Sequence, residues 1–404
     1  MKILVISSVY YPDTVSVSQH VTDMCEGLVQ RGHEVDVISS IYSYEKNENF
    51  GENKLSHNGV NIYRLKPTRF SKNNVIGRLS NFISFNFLMS VRLLNVRKGE
   101  YNIMIGLTVP PLLSFIGVLI SKLKRIKFCY WLMDVQPELA ISSGLLKKRS
   151  LVSFTLEFLG SYIITKADLI IALDNYMKNH CISNGAEQEV VKVSTVWPVM
   201  NKLYTGARLD NPFRIENNFK DKIVIMYSGN HSFVHPLDTI LGVAKMLEND
   251  QRFLFVFIGE GVRKKDVKEY KELHELNNIV QLPYQPRAII HESLGSSDFQ
   301  LVIMGDGQVG FTHPNKVYGA LFIGKPVIYI GPKKCHVTDL LDQLDGNISV
   351  QHGEVEILKN KLLSYSERLD DVQEVGSKNM EFARSKFNPN VLKNQLFGFI
   401  EDMK

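Results

Sequence analysis

The feature that most constrains this chain is an alternation of apolar runs. "KILVIS" (2–7) is compact and apolar, consistent with a buried parallel strand. A polar loop, "YYPDTVSVSQ", follows it. In "HVTDMCEGLVQRGHEVDVISS", Val21, Met24, Cys25 and Leu28 then recur at helical spacing, Gly32 is a helix stop, and "EVDVIS" is the next strand. Strand, helix and strand within about 40 residues make a βαβ unit, and such units build parallel sheets.

The alternation continues through "YNIMIGL", "PPLLSFIGVLISKLK", "KFCYWLMD", "LVSFTLEFLGSYIITKA", "DLIIALD" and "VVKVSTVWP". Residues 199–221 are polar and aperiodic and read as a linker. The pattern restarts at "KIVIMYSG" (222–229) and runs through "PLDTILGVAKMLEN", "FLFVFIGEG", "NIVQLPY", "RAIIHESLGSSD" and "FQLVIM". "GFTHPNKVYGALFIGKPVIYIGP" (310–332) adds a helix and a strand, and "NVLKNQLFGFIEDM" is an amphipathic terminal helix. With 404 residues, two cores are expected. The expected fold is α/β, with two doubly wound Rossmann-like domains facing a central cleft. The boundaries are 1–198, a linker at 199–221, 222–385, and a C-terminal helix at 386–404 packing back on the first domain. Ligands belong at the carboxyl ends of the strands.

Composition narrows the function. The four cysteines, Cys25, Cys129, Cys181 and Cys335, are scattered without metal-ligand spacing and read as reduced core thiols of a cytoplasmic protein. The first residues lack a signal h-region and cleavage site, and no stretch reaches about 18 apolar residues, so no spanning helix is expected. The net charge of +5 hides an asymmetry: from Lys54 to Met133 there are thirteen Lys and Arg and one acid, Glu100, so that region carries +12 and the rest of the chain −7.

Several chemistries are excluded by motif. A dinucleotide-binding dehydrogenase needs Gly-x-Gly-x-x-Gly after its first strand. The first loop has no glycine, the loop after "KIVIMYSG" has only Gly229, and "IGEG" (258–261) is a lone pair. A P-loop, a Ser nucleophile elbow and His-Glu-x-x-His are also absent. In 310–332, Asn315 is a candidate helix cap, with Pro314 fixing the chain before it. Lys316 in the first turn opposes the helix dipole, so it reads either as a solvated cation or as one waiting for an anion.

Taken together, "YYPD", "LVQRGHEVDVIS", "WLMDVQPELAISSGLL", "YSGNHSFVHPLDTI", "VFIGEGVRKKDV" and "PNKVYGALFIGKPVIYIGP" give the chain a resemblance over essentially its whole length. It resembles the retaining family-4 glycosyltransferases of the GT-B fold, closest to enzymes of bacterial capsule, O-antigen and exopolysaccharide assembly. The resemblance implies an acceptor-binding first domain, a second domain that binds a nucleotide-diphosphate sugar, and transfer of a hexosyl or N-acetylhexosaminyl group with retention. It implies no cofactor and no metal.

The carry-over departs from the family's pattern at the donor clamp. The two glutamates of the family's Glu-x7-Glu fall on Phe311 and Gly319, and its diphosphate-gripping Arg and Lys fall on Asn230 and His235. The donor diphosphate then falls to Lys316, the helix amides near Asn315 and Val317, and the Gly229–Asn230 turn, with Pro314 at the helix entrance counted among the donor-binding residues and His235 assisting if protonated. Glu260 and Tyr284 follow strands on the side where the base would lie. In the first domain, the His position is Met133. Asp134 and Glu138 in "DVQPEL" are the candidate catalytic carboxylates, placed to orient or deprotonate an acceptor hydroxyl. His20 and His33 read as structural, Trp131 and Trp197 as packing.

The basic region fits the same picture. "RFSKNNVIGRLSNFISFNFLMSVRLLNVRK" (69–98) and "VPPLLSFIGVLISKLKRIKF" (109–128) mix apolar and cationic residues without acids. They suit a peripheral surface on anionic lipid at the inner face of the cytoplasmic membrane, with a polyprenyl-diphosphate-linked saccharide as acceptor. Nucleic acid is not expected, since no recognition helix or stacking platform is evident. Two rivals remain open: a sugar-nucleotide epimerase of the same architecture, and an inactive homologue acting as an assembly partner.

Overall fold

The computed structural model describes residues 1–43, 48–70, 75–108, 110–198 and 202–404. Residues 71–74 of the basic stretch, Val109, and 199–201 of the expected linker lie outside the described residues. Two compact units share the chain. Unit 1 comprises Met1–Val196, Gly310–His313 and Asn390–Lys404; unit 2 comprises Trp197–Val309 and Pro314–Pro389.

Unit 1 runs β1 (Lys2–Ile6), α1 (Ser16–Gln30), β2 (Glu34–Ser40), β3 (Lys54–His57), β4 (Val60–Leu65), α2 (Val75–Leu94), β5 (Ile103–Leu107), α3 (Pro111–Lys124), β6 (Lys127–Leu132), α4 (Glu138–Ser142), α5 (Leu151–Lys166), β7 (Leu169–Ala172), α6 (Asn175–Ser183) and β8 (Val191–Val193). The eight-stranded sheet has the order β3-β4-β2-β1-β5-β6-β7-β8. Every pairing is parallel except β3 with β4, an antiparallel edge hairpin that the reading of the sequence did not contain. Its signal is faint: "KLSH" is only four residues long and carries one aliphatic side chain. The central strands are unbroken apolar runs with both faces covered, as parallel strands require. Trp131 sits fully buried in β6, and His20 is buried with Nδ1 2.8 Å from the Ser16 carbonyl oxygen.

Unit 2 runs α7 (Pro212–Glu216), β9 (Ile223–Ser228), α8 (Asp238–Met246), β10 (Phe253–Ile258), α9 (Lys264–Leu273), β11 (Ile279–Leu282), α10 (Ile290–Gly295), β12 (Phe299–Ile303), α11 (Lys316–Phe322), β13 (Val327–Ile330), α12 (His336–Leu341), β14 (Ile348–Val350), α13 (Val355–Ser366) and α14 (Leu369–Lys386). Its six parallel strands have the order β11-β10-β9-β12-β13-β14. The order reverses beside β9, a switch point where α/β sheets hold ligands.

Residues read as an aperiodic linker are partly structured within unit 2. Asn211 caps α7 by accepting from the Arg214 amide, and Arg214 is almost fully buried against Asp298, Ser296 and Lys222. Asp298 also accepts the Val224 amide at 2.8 Å, so the segment is tied to the start of β9. A polar stretch looked like a linker because its order comes from charge pairing rather than from periodic apolar residues.

The final helix, α15 (Pro389–Glu401), buries Leu392, Leu396, Phe397 and Ile400 and contributes Asn390–Lys404 to unit 1. Arg31 and His33 both reach Glu401 at 2.7 Å, and Lys393 reaches Asp23 at 2.9 Å. All four cysteines are free and buried. Among the described residues, no helix is long and apolar enough to cross a membrane.

Candidate active site

In unit 2, the loops after β9 and β10 meet at close range. β9 ends in Ser228, and Gly229 follows with φ +131°. A side chain at Gly229 would place its Cβ 2.6 Å from Lys316 Cε. At Gly259 (φ +130°), a Cβ would lie 2.2 Å from the Gly229 carbonyl oxygen and 3.2 Å from the Tyr284 ring. Both positions therefore need glycine for conformation and for space. The glycines let one backbone approach another and let Lys316 reach across the turn.

Lys316 then lies over the face of Tyr227, with Nζ 3.5 Å from the ring centroid. The Tyr227 hydroxyl donates to the Asn230 carbonyl oxygen at 2.7 Å and lies 3.0 Å from His235 Nδ1. His231 packs edge-on against the same ring. Three buried polar atoms, Lys316 Nζ, Asn315 Oδ1 and His231 Nε2, have no hydrogen-bond partner. Burial alone pushes the Lys316 ammonium well below its usual range, with no carboxylate opposing the shift. Burial, and then the Lys316 charge, push His231 down to about 4 and His235 well below the usual histidine value. The Lys316 amine faces no acid in this cluster, and its natural complement is an anion.

Several sequence expectations change here. Asn315 does not cap α11 with its side chain. Its φ and ψ are helical (−57°, −18°), which turns Oδ1 away from the first amides, whereas a capping residue is extended. Two of the helix amides are already engaged. Val317 N–H donates to the Pro314 carbonyl at 3.2 Å and Tyr318 N–H to Asn315 at 3.2 Å, because the first turn is wound tightly. His235 is held neutral, so it is not the protonated partner expected of it. Glu260 is exposed and paired with Lys264 at 2.6 Å. Tyr284 is also exposed, its ring against Gly259. Asn230 is exposed, with its carbonyl held by Tyr227.

In unit 1, β6 delivers Met133 and Asp134 at its carboxyl end. The amides of both residues point at Thr108 Oγ1, at 2.9 and 3.4 Å. Residues 310–313 return to this unit and run beside that loop: Val135 N–H donates to the Phe311 carbonyl at 2.8 Å, and the Thr312 hydroxyl donates to Asp134 at 3.2 Å. Burial raises the Asp134 carboxyl to about 7, and the Thr312 hydrogen bond holds back part of that rise. Glu138, in the first turn of α4, lies 3.3 Å from His180 Nε2, and its second oxygen is buried without a partner. The two carboxylates expected to act together are thus engaged by different partners.

Beside them, His313 Nδ1 meets Asp174 at 2.7 Å, and Nε2 is 3.3 Å from the Thr195 hydroxyl. Asp174 also caps α6 by accepting the Met177 amide at 2.8 Å. Tyr227, His231, Thr312 and His313 were all missed in the sequence. The first two lie within or just after an apolar strand. The last two lie in a stretch that sequence order assigns to the second half of the chain but that packs in unit 1.

No protein-family model matches the chain. Among curated proteins, it is 25% identical over 280 residues to the "Probable glycosyltransferase WbjE" of Pseudomonas aeruginosa, covering 69% of each chain. It is 24% identical over 338 residues to WcaI of Escherichia coli strain K12, named for glycosyl transfer in colanic acid biosynthesis, covering 80% of this chain and 82% of that one. Among solved structures, Anabaena Alr3699/HepE in complex with UDP and glucose superposes with a TM-score of 0.74 over the whole of both chains at 14% identity. That structure shares the two-domain GT-B architecture.

Proposed function

We propose that this GT-B glycosyltransferase moves a hexosyl or N-acetylhexosaminyl group from a nucleotide-diphosphate donor, with retention, to a lipid-linked saccharide in surface polysaccharide assembly. Its glycosyltransferase character and its place in polysaccharide biosynthesis follow from its relatives and its architecture. The observation that carries the donor assignment is Lys316: a buried amine at the carboxyl end of β9, facing no acid and bonded to no acceptor. A diphosphate supplies both the charge and the acceptors. UDP-sugars are the first donors to test, because HepE was solved with UDP and with UDP-glucose.

The chemistry follows from the groups present. As the bond from the anomeric carbon to the β-phosphate oxygen breaks, negative charge gathers on the leaving diphosphate, and Lys316 stabilises it where it develops. The acceptor hydroxyl oxygen attacks the same face of the sugar. Its proton passes to the departing phosphate oxygen, so no covalent nucleophile and no metal are required. Asp134, with its carboxyl held near neutrality, serves to orient the acceptor hydroxyl and hydrogen-bond it, and Glu138 supports it. The enzyme works as a peripheral protein on the inner face of the cytoplasmic membrane, where a polyprenyl-diphosphate-linked acceptor is reached.

Calorimetric titration with a panel of nucleotide sugars tests the reading, followed by NMR of the product's anomeric configuration. Saturable binding of at least one donor, lost in Lys316→Ala, is expected. If no nucleotide sugar binds, or if Lys316→Ala binds as well as the wild type, the donor assignment is wrong.

A further inference from the structure

The apolar side chains that unit 1 leaves uncovered are concentrated. Fourteen of the twenty-three large apolar residues exposed among the described residues lie between Phe70 and Phe158. Six belong to α2: Ile76 (78% exposed), Leu79, Ile83, Phe87 (65%), Val91 and Leu94. At 100° per residue they fall in one stripe about 120° wide. The opposite side of α2 is already in use, with Phe85, Met89 and Leu93 buried against the unit. α2 is therefore apolar on two sides, and only one is covered.

The neighbouring helices repeat the pattern. α3 packs between α2 and α5 and exposes Leu119 and Leu123. The first turns of α5 expose Leu151 (82%), Val152, Phe154 (69%) and Phe158, and α5 has apolar residues all round. A helix of that kind belongs in an interior or against another apolar phase, and a patch spread over three adjacent helices exceeds what a free surface ordinarily shows.

Charge identifies the covering phase. Residues 70–158 hold twelve Lys and Arg against four acids. The cations gather at the ends of these helices, in Lys122 and Lys124 of the last turn of α3, in Arg125 just after it, and in Lys147, Lys148 and Arg149 before α5. Apolar side chains framed by cations at helix ends suit an interface whose interior is hydrocarbon and whose surface is anionic. A second copy of this chain would set like charge against like charge.

We propose that the exposed faces of α2, α3 and α5 form the surface on which unit 1 lies on an anionic lipid bilayer, with Phe87 and Phe154 inserted at the headgroup boundary. The proposal deepens the reading of a lipid-linked acceptor by naming the helices that meet the lipid.

Flotation of the purified full chain with vesicles of one part phosphatidylglycerol to two parts phosphatidylcholine tests it. The wild type floats with these vesicles, floats poorly with phosphatidylcholine alone, and is released by high salt. Ile83→Ser/Phe87→Ser and Leu151→Ser/Phe154→Ser each weaken capture at least about tenfold. Leu273→Ser, equally exposed at 76% but on unit 2, leaves capture unchanged. Circular dichroism and a cooperative thermal melt in lipid-free buffer report whether each variant is folded. The proposal is overturned if the wild type does not float, if the double variants float as the wild type does, or if the variants convert a dimer into a monomer without any vesicle capture. A wild type that floats with the vesicles but binds no nucleotide sugar would instead sink the donor assignment and leave this surface standing.

Discussion

Replacing Lys316 with methionine separates a binding role from a structural one, because the two predict opposite signs. Methionine keeps most of the length and apolar stem and removes the nitrogen. In the free protein, that nitrogen is buried 3.5 Å above the Tyr227 ring with no hydrogen-bond acceptor. An unsatisfied buried polar group costs about 1–3 kcal/mol, while a contact of an ammonium with a ring returns about 0.5–2 kcal/mol, and less once the amine is neutral. Lys316→Met should therefore stabilise the free protein by about 1 kcal/mol, raising the Tm of unit 2 by about 2–4 °C. Donor binding moves the other way: a charge-assisted hydrogen bond to phosphate is worth about 1.5–3 kcal/mol, so the donor Kd rises about 10- to 150-fold. The pH dependence adds a third reading. The folded amine has its pKa pushed well down, and the unfolded chain keeps about 10.5. The unfolded state thus binds the extra proton, and wild-type stability rises as pH climbs towards 10.5, a slope the methionine variant lacks. Scanning calorimetry and titration with a donor measure all three. A variant that melts lower than the wild type and still binds the donor equally well would refute the reasoning.

Three further outcomes are expected. Asp134→Asn, which loses a hydrogen bond from the acceptor to a charged group worth about 1.5–3 kcal/mol, lowers kcat/KM by about 10- to 150-fold and removes an acid limb near pH 7. Because the folded carboxyl holds its proton up to about 7, wild-type stability falls as pH rises between about 4 and 7, by up to about 4 kcal/mol, and denaturant melts of the variant at pH 8 should show that cost relieved. His231, pushed down to about 4, makes the fold lose about 3 kcal/mol as pH falls from about 6.5 to 4, and melts of His231→Phe across that range should be flatter. Glu401, held down at about 2 by Arg31 and His33, contributes about 1 kcal/mol at pH 7 after discounting for its partial exposure. Glu401→Gln loses that amount in urea melts at pH 7, and its difference from wild type shrinks as pH falls from about 4.5 through 2.

What could be read in the sequence follows the physics of each element. Strands such as "KILVI" and "FLFVFI" are buried on both faces, so composition alone marks them. Helices that bury one stripe, α1 and α15, announce it at 3.6-residue spacing. The 208–222 segment announces nothing, because Arg208, Arg214 and Asp298 order it through charge pairs separated by more than 80 residues. Lys316 was legible as an anomaly, a cation opposing a helix dipole. What it rests on was not, because Tyr227 is one aromatic among many until β9 brings its ring under the amine.

The missing carboxylate at Gly319, one turn along α11 from Lys316, takes on a physical meaning at this point. An acid beside Lys316 would hold it charged and would spend its hydrogen bonds before any donor arrived. Here the ring of Tyr227 supports the amine without neutralising it, and the Tyr227 hydroxyl fixes the Asn230 carbonyl and His235 around the same place. The arriving diphosphate then serves as counter-ion to a group that had none, and binding draws a proton onto the amine. Tyr227→Phe keeps the ring and loses the two tethers, so donor affinity falls several-fold; Tyr227→Leu loses the ring as well and approaches the loss seen in Lys316→Met. Calorimetry in buffers of different ionisation enthalpy reads the coupled proton directly. If uptake is equal in wild type and Lys316→Met, the proton goes elsewhere, and the amine does not act as the switch.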